Sequence, residues 1–168
     1  PEPDNIFPTW KSTFVKRVNY PSGQKRIIGS GAYNMQMDET LIEDVVERAA
    51  VLVEKQGRAA FDRLRDKSGP FVFMDIYVFV TAPDGRELEK AGFPSLEGHN
   101  LLDFKDLKGK SLVREEIDIA MKQGRGWVDA YWYAPGRNTE ALKRTYVRKV
   151  VSGGETFIVG SGFYLKEK

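Results

Sequence analysis

The sequence predicts an α+β domain in which one long helix lies on a five-stranded antiparallel sheet. Three observations lead to this fold class. An amphipathic pattern at 41–53 predicts the long helix, and five β-rich segments follow it. Turns rather than helices separate most of these segments, which favours antiparallel pairing. The third observation is a near-repeat, because a strand pair predicted at 11–33 recurs at 143–165.

Composition limits the classes of protein to which the chain belongs. Its 168 residues are 41% hydrophobic, enough to fill the core of one ordinary domain. The 26 basic and 24 acidic residues are well mixed, so we expect no nucleic-acid partner. The absence of cysteine excludes disulfides, thiol nucleophiles and thiolate metal sites. The chain starts at Pro1 without an apolar run near 18 residues, so we expect any membrane segment to lie outside it.

The first elements are a β-hairpin and the long helix. After a proline-containing lead-in at 1–9, β-rich residues at 11–18 and 25–33 flank the turn NYPSGQ. Thr40 and Glu43 then have the spacing of a capping box, which predicts a helix start. Apolar residues follow at intervals of three and four: Leu41, Ile42, Val45, Val46, Ala49, Leu52 and Val53.

The middle of the chain predicts a strand pair after the helix. We expect Gly57 to interrupt the helix and 58–67 to add two or three turns. The segment FVFMDIYVFV at 71–80 is apolar almost throughout and predicts one central strand buried on both faces. A turn at APDGRE follows, and 86–90 is predicted to pair back.

The remaining elements are an irregular crossing, a second helix and three closing strands. Glycine and proline punctuate 91–110, and an amphipathic pattern at 112–122 predicts a helix that Gly124 ends. The closing strands are predicted at 127–133, 143–150 and 156–165.

The near-repeat predicts the domain organisation. WKSTFVKRV aligns with LKRTYVRKV, and IIGSGAY aligns with IVGSGFY, with turns that differ in length by one residue. We interpret residues 1–38 as the last two strands of a duplicated module and 39–168 as a complete module. The alternative is that 1–38 is a lead-in hairpin that converged on the same pattern.

Several motifs in the second half resemble a known family. They are GW at 126–127, YW at 131–132, Pro135, KRTYV at 143–147 and IVGSGFY at 158–164. This set resembles the closing half of a single Cache domain of the PAS-like type 2 class. The segment at 77–118, with its DG turn and GHNL, is similar to the opening strand pair and crossing of that family.

The resemblance implies a function. Cache domains are extracytoplasmic ligand-sensing modules of bacterial chemoreceptors and sensor kinases. The resemblance therefore implies a periplasmic or extracytoplasmic PAS-like domain that binds a short organic acid, such as acetate, propionate, pyruvate or lactate. A neighbouring Cache unit or a homodimer is the expected protein partner, and no cofactor is expected. The alternative is a soluble periplasmic Cache-repeat binding or scaffold protein without its own signalling module; the gene sequence after Lys168 would distinguish the two.

Two positions depart from the family pattern. Many members carry a tyrosine where this chain has Ala130, and many carry a histidine where it has Lys90. If these positions line the pocket, it is roomier on one wall and more cationic on another.

The sequence offers no catalytic set. His99 is the only histidine, so no Ser-His-Asp set can be built without it and no metal-binding histidine pair is available. We expect His99 to be a loop residue, and we expect a binding protein rather than an enzyme.

Aromatic and basic residues supply the candidate site. Tyrosine and tryptophan offer apolar walls with polar tips, and a buried cation neutralises a carboxylate. The predicted ligand-binding residues are Tyr77, Arg114, Tyr131, Trp132, Lys143 and Tyr146, with Trp127 in support. The pocket is expected between the sheet and residues 91–123. Because Lys143 and Tyr146 are three apart, a regular strand places them on opposite faces unless a bulge intervenes.

Overall fold

The chain divides into two compact units, at 1–37 and 38–168. The structure is a computed structural model that describes residues 11–33, 37–136 and 138–165. In the first unit, β1 (Lys11–Asn19) and β2 (Lys25–Tyr33) form an antiparallel hairpin. The predicted hairpin is therefore confirmed.

The second unit combines three α-helices with the remaining strands. Its helices are α1 (Glu39–Gln56), α2 (Phe61–Leu64) and α3 (Leu112–Gln123), with 3₁₀ turns at Gly57–Ala60 and Pro94–Leu96. Its strands are β3 (Val72–Phe73), β4 (Ile76–Tyr77), β5 (Phe79–Thr81), β6 (Glu87–Lys90), β7 (Arg125–Tyr133), β8 (Glu140–Ser152) and β9 (Glu155–Tyr164). Five of them form an antiparallel sheet in the order β6-β5-β9-β8-β7, which confirms the predicted α+β class.

Helix α1 follows its predicted pattern but starts from a different cap. The side chain of Asp38 accepts a hydrogen bond from the Leu41 N–H at 2.9 Å, and Asp38 itself is extended. Thr40 already lies inside the helix, so the predicted capping box is wrong. Gly57, at φ 55°, ends the helix as predicted. The buried stripe of α1 consists of Ile42, Val45, Val46, Ala49, Ala50 and Val53.

The prediction of one continuous strand at 71–80 is wrong. Met74 has φ 57°, a left-handed conformation that a regular strand does not contain. The chain reverses there, so β3 pairs with β4 in a short hairpin, and only β5 enters the main sheet. The periodicity was uninformative because nearly every residue of the segment is apolar.

The two faces of the main sheet carry different elements. Helix α1 packs on β8 and β9, while α3 packs on β7 and β8. On β7, Trp127 bonds to Glu43 of α1, whereas the alternate residues Val128 and Ala130 share a core cluster with Leu112 of α3. Because side chains alternate along a strand, α1 and α3 cover opposite faces.

Candidate functional site

A β-bulge in the edge strand β6 determines which charged residues enter the interior. Thr81 pairs with Glu87 and Val80 pairs with Glu89, so Leu88 is an extra residue between them. Such an extra residue re-aims the side chains that follow it. Glu89 therefore forms an ion pair with Arg65, while Glu87 and Lys90 share the face covered by α3.

Lys143 on β8 is a buried cation on the same face. It is 4% exposed, and its Nζ donates a hydrogen bond to the Tyr77 hydroxyl at 3.1 Å. The same Nζ lies 4.3 Å from the centre of the Tyr77 ring. Within the described residues Lys143 forms no ion pair. Burial, together with the nearby charge of Lys90, lowers the pKa of Lys143 to about 7.

Two carboxyl groups and a second lysine complete a buried polar cluster, which we define as Tyr77, Glu87, Lys90, Glu116 and Lys143. Lys90 Nζ donates to Glu87 Oε1 at 2.9 Å, and both side chains are buried. Glu116 comes from α3, and burial raises its pKa to about 7 against the opposing effect of Lys90. Burial also raises the pKa of the Tyr77 hydroxyl well above its usual range.

A cleft of about 460 Å³ opens beside the buried polar cluster. Its lining is mainly aromatic and aliphatic: Phe93, Ser95, Leu96, Leu101, Phe104, Trp132, Tyr133 and Asn138. Phe93 packs edge-on against both Tyr77 and Trp132, with ring centres 5.8 and 6.0 Å apart. Lys90 Nζ lies 4.5 Å from the centre of the Trp132 ring. Phe93 and Trp132 therefore line the cleft and contact the cluster, whose own five residues are not part of the lining. The volume is in the range of small-molecule sites.

Two polar atoms at this site have no hydrogen-bond partner in the part of the chain that is described. They are Glu87 Oε2 and Trp132 Nε1, both of which are buried. Buried polar groups in proteins are nearly always paired, so a water or a polar ligand that reached either atom would gain a hydrogen bond there.

The sequence that contains these site residues matches a known family. Residues 34–167 match the model dCache_2, described as a Cache domain. The chain belongs to the Cache domain family. Cache domains are sensory modules rather than catalysts and lie outside the cytoplasm in chemoreceptors, so the predicted family and its sensory character are confirmed.

Solved structures of Cache-like sensors share the fold. A periplasmic sensor domain of a chemotaxis protein is 28% identical with a TM-score of 0.68, covering 76% of this chain and 95% of that one. A methyl-accepting chemotaxis protein from Vibrio parahaemolyticus is 24% identical with a TM-score of 0.63, covering 75% and 87%. A Cache chemosensory domain, whose structure concerns carboxylic acid recognition, is 22% identical with a TM-score of 0.64, covering 78% and 100%.

Three of the predicted site residues of this Cache domain come together. Tyr77, Trp132 and Lys143 all lie on the face covered by α3, at the cluster or its cleft. Arg114 belongs to α3, but its side chain is exposed and lies 3.3 Å from Asp103. The structure therefore does not bring Arg114 to the other three.

The remaining three predicted residues have other surroundings. Trp127 Nε1 donates to Glu43 at 3.1 Å, and the Tyr146 hydroxyl donates to Glu47 at 3.4 Å, so both side chains meet α1. Tyr131 lies on the same face of β7 as Trp127. Lys108 Nζ is 5.8 Å from the centre of its ring. No bulge lies between Lys143 and Tyr146, which keeps them on opposite faces.

Sequence reasoning missed Glu87 and Glu116. Glu116 interrupts the buried stripe of α3, which contains Leu112, Val113, Ile117 and Ala120, and this charged residue at a core position was a readable signal. Glu87 offered no such signal, because a regular strand would place Glu87 and Lys90 on opposite faces and only the bulge brings them to the same one. Lys90 was recognised only as a departure from the family pattern.

Metal and membrane features are absent from the described parts of the Cache domain. Across residues 11–33, 37–136 and 138–165, no group of three or more His, Asp or Glu side chains is arranged to hold a metal ion. None of the helices in these ranges is both long and apolar enough to cross a membrane.

Proposed function

We propose that this Cache domain binds a short organic acid of the acetate, propionate, pyruvate or lactate type. In this proposal the ligand carboxylate pairs with Lys143, and Tyr77 and Trp132 orient it. The domain is the extracytoplasmic part of a chemoreceptor or sensor kinase and passes the binding signal to it. Lys143 is the observation that carries the proposal, because it is a buried lysine that forms no ion pair among the described residues.

The energetics of burial give ligand binding its driving force. A buried charge is costly unless it is paired, and the lowered pKa of Lys143 expresses this cost. A carboxylate beside Lys143 would restore the preference for the charged ammonium. The apolar cleft at Trp132 and Phe93 would then receive the carbon chain.

One of the comparison structures concerns the same ligand class in another protein. It is a Cache chemosensory domain with this fold that recognises carboxylic acids. At 22% identity this structure supports the fold alone. The argument for a carboxylate ligand in this chain comes from Lys143.

The hairpin at 11–33 is, in this proposal, the closing strand pair of a neighbouring Cache unit. Lys11 pairs with Tyr33 as Lys143 pairs with Tyr164, so the register agrees along with the residue types. The family match begins at residue 34 and does not include the hairpin.

A thermal-shift and calorimetric series tests the proposed ligand. Acetate, propionate, pyruvate and lactate are titrated separately, and a ligand at a hundred times its Kd should stabilise the fold by about 2.7 kcal/mol. Lys143→Met removes the cation at similar volume and should weaken binding at least about tenfold. Lys122→Met, whose side chain is 72% exposed, is the matched control and should bind normally. If none of the four acids raises the melting temperature, the proposal is wrong.

A further inference from the structure

The crossing between β6 and α3 supplies most of the lining of the apolar cleft. Its cleft residues are Phe93, Ser95, Leu96, Leu101 and Phe104. The crossing is tied to the edge strand β6, because the Gly98 N–H donates to the Glu87 carbonyl at 2.7 Å. The Leu101 N–H donates to the Gly85 carbonyl at 2.9 Å, in the turn before β6. Beyond these bonds the chain leaves β6 and reaches β7, and we define residues 101–106 as the strap.

Asp106 attaches the far end of the strap to β7, which is the other edge strand of the sheet. Its Oδ2 accepts the Tyr131 N–H at 2.9 Å. Its Oδ1 accepts the N–H groups of Lys108 and Lys110, each at 2.9 Å. Lys110 Nζ in turn donates to the Asp129 carbonyl at 2.5 Å, two residues from Tyr131 on the same strand. We define Asp106 and Lys110 together as the clip.

The charge of Asp106 strengthens this attachment. The residue is 5% exposed. Burial by itself would raise the pKa of Asp106, but the hydrogen bonds from the Tyr131, Lys110 and Lys108 N–H groups hold it below its ordinary value. Hydrogen bonds to an ionised acceptor are roughly twice as strong as those between neutral groups. A carboxylate therefore holds the strap on β7 more firmly than a neutral side chain of the same shape.

The clip lies beside an aromatic contact that forms part of the cleft wall. Phe104 precedes Asp106 by two residues and packs against Trp132, with ring centres 4.9 Å apart. Trp132 directly follows Tyr131, the residue to which Asp106 bonds. Both rings line the cleft, whereas Asp106 and Lys110 are not part of its lining. The clip can therefore act on the cleft only through the position of the strap.

We infer that Asp106 and Lys110 are positioning residues of this cleft, which fix the strap on β7 and thereby the separation of Phe104 and Trp132. The identity of the ligand in this inference rests on the proposed function. A strap that is held in place limits the length of the acid that the cleft admits. A released strap would let Phe104 move away from Trp132, so a short acid would lose contacts and a longer one would find room.

Isothermal calorimetry on the full chain compares propionate with pentanoate, which is longer by two methylene groups. The wild type should bind propionate about tenfold or more tightly. Asp106→Asn leaves one acceptor oxygen, so either Tyr131 or the Lys108 and Lys110 pair loses its acceptor. The ratio of the two Kd values should then fall about threefold or more. Lys110→Gln, which removes the bond to Asp129, should lower the ratio in the same direction and replaces Asp106→Asn if that variant does not fold.

Asp103→Asn is the matched control for the calorimetry. Asp103 also belongs to the strap, but its side chain is 99% exposed and lies 3.3 Å from Arg114. This variant should keep the ratio of the wild type. An unchanged ratio in the folded clip variant overturns the inference, and so does a wild type that binds pentanoate as tightly as propionate.

Hydrogen exchange measured by mass spectrometry tests the clip without any ligand. A role confined to the loop would change exchange only at 106–110 and at Tyr131, where the bonds are lost. A positioning role should also raise exchange at 101–104 about tenfold or more in the folded clip variant. Exchange at 101–104 equal to that of the wild type overturns the inference. Raised exchange at 101–104 in a protein that binds none of the acids removes the proposed function and supports the positioning role.

Discussion

The two hairpins of the chain, β1–β2 and β8–β9, pair their strands in the same register. Thr13 lies opposite Gly31 as Thr145 lies opposite Gly162. The agreement continues along the strands up to the turns, which differ by one residue. Two segments with similar residues thus form the same local structure.

Corresponding apolar residues of the two hairpins differ in burial. Val147 and Ile158 of the second are 0% exposed, whereas the corresponding Val15 and Ile27 of the first are 62% and 73% exposed. Strand pairing depends on neighbouring residues, but burial depends on what packs on the sheet. Apolar residues of the first hairpin therefore have the spacing of core residues, but they lie exposed.

The largest expected difference between the hairpins concerns a buried isoleucine. Ile158→Ala should lower the free energy of unfolding by about 2–5 kcal/mol, because it leaves a cavity in the core. The corresponding Ile27→Ala, at an exposed position, should change it by about 0.5 kcal/mol or less. Urea denaturation of both variants measures the contrast, and equal losses would contradict the assignment of burial.

Proton binding by the second hairpin should produce a smaller effect. The pKa of Lys143 is about 7 in the folded state, below its ordinary value of 10.5. Between these values the unfolded chain binds more protons, so stability rises with pH. From pH 7 to 9 the contribution should be about 2 kcal/mol, and Lys143→Met should remove it.

The comparison with Lys143→Met is needed because Glu116 also titrates near pH 7. Its pKa is raised from 4.5 to about 7 in the folded state, so the stability that it contributes falls as pH rises towards 7. Urea denaturation at several pH values compares the wild type with Lys143→Met. The same slope in both proteins would show that Lys143 titrates normally.

The smallest expected effect comes from a surface ion pair of the second hairpin. Arg144 bonds to Asp129 at 2.7 Å and to Glu39 at 2.6 Å, while the first hairpin has Ser12 at the corresponding position. Arg144→Ser should cost about 1 kcal/mol or less, because these groups are partly exposed and screened by water. A loss that disappears in high salt is expected, and a salt-independent loss would indicate packing instead.

Glycine illustrates what the sequence predicted about packing in the repeat. Both hairpins contain GSG within a predicted strand, and glycine inside a strand favours close approach of a neighbouring element. In the second hairpin a side chain on Gly160 would clash with the Phe79 ring, which confirms that interpretation there. The absence of a side chain at Gly160 therefore makes room for the Phe79 ring of the neighbouring strand.

The sequence by itself determined the class of fold, the long helix, the order of the closing strands and the family. These features rest on local signals: helical spacing, turn residues and a repeated strand pair. Tyr77, Trp132 and Lys143 were also predicted from side-chain chemistry, and they do come together. Local signals suffice for the helices and strands because each element involves residues close in the chain.

Only the tertiary structure decided the face on which each side chain lies and the charges that are buried. One extra residue at Leu88 places Lys90 on the same face as Glu87, and one left-handed residue at Met74 breaks the expected strand. The strand alternation places Trp127 and Tyr146 against α1 rather than in the cleft. The physical reason is that a strand has two faces of equal local stability, and only packing against α1 and α3 distinguishes them.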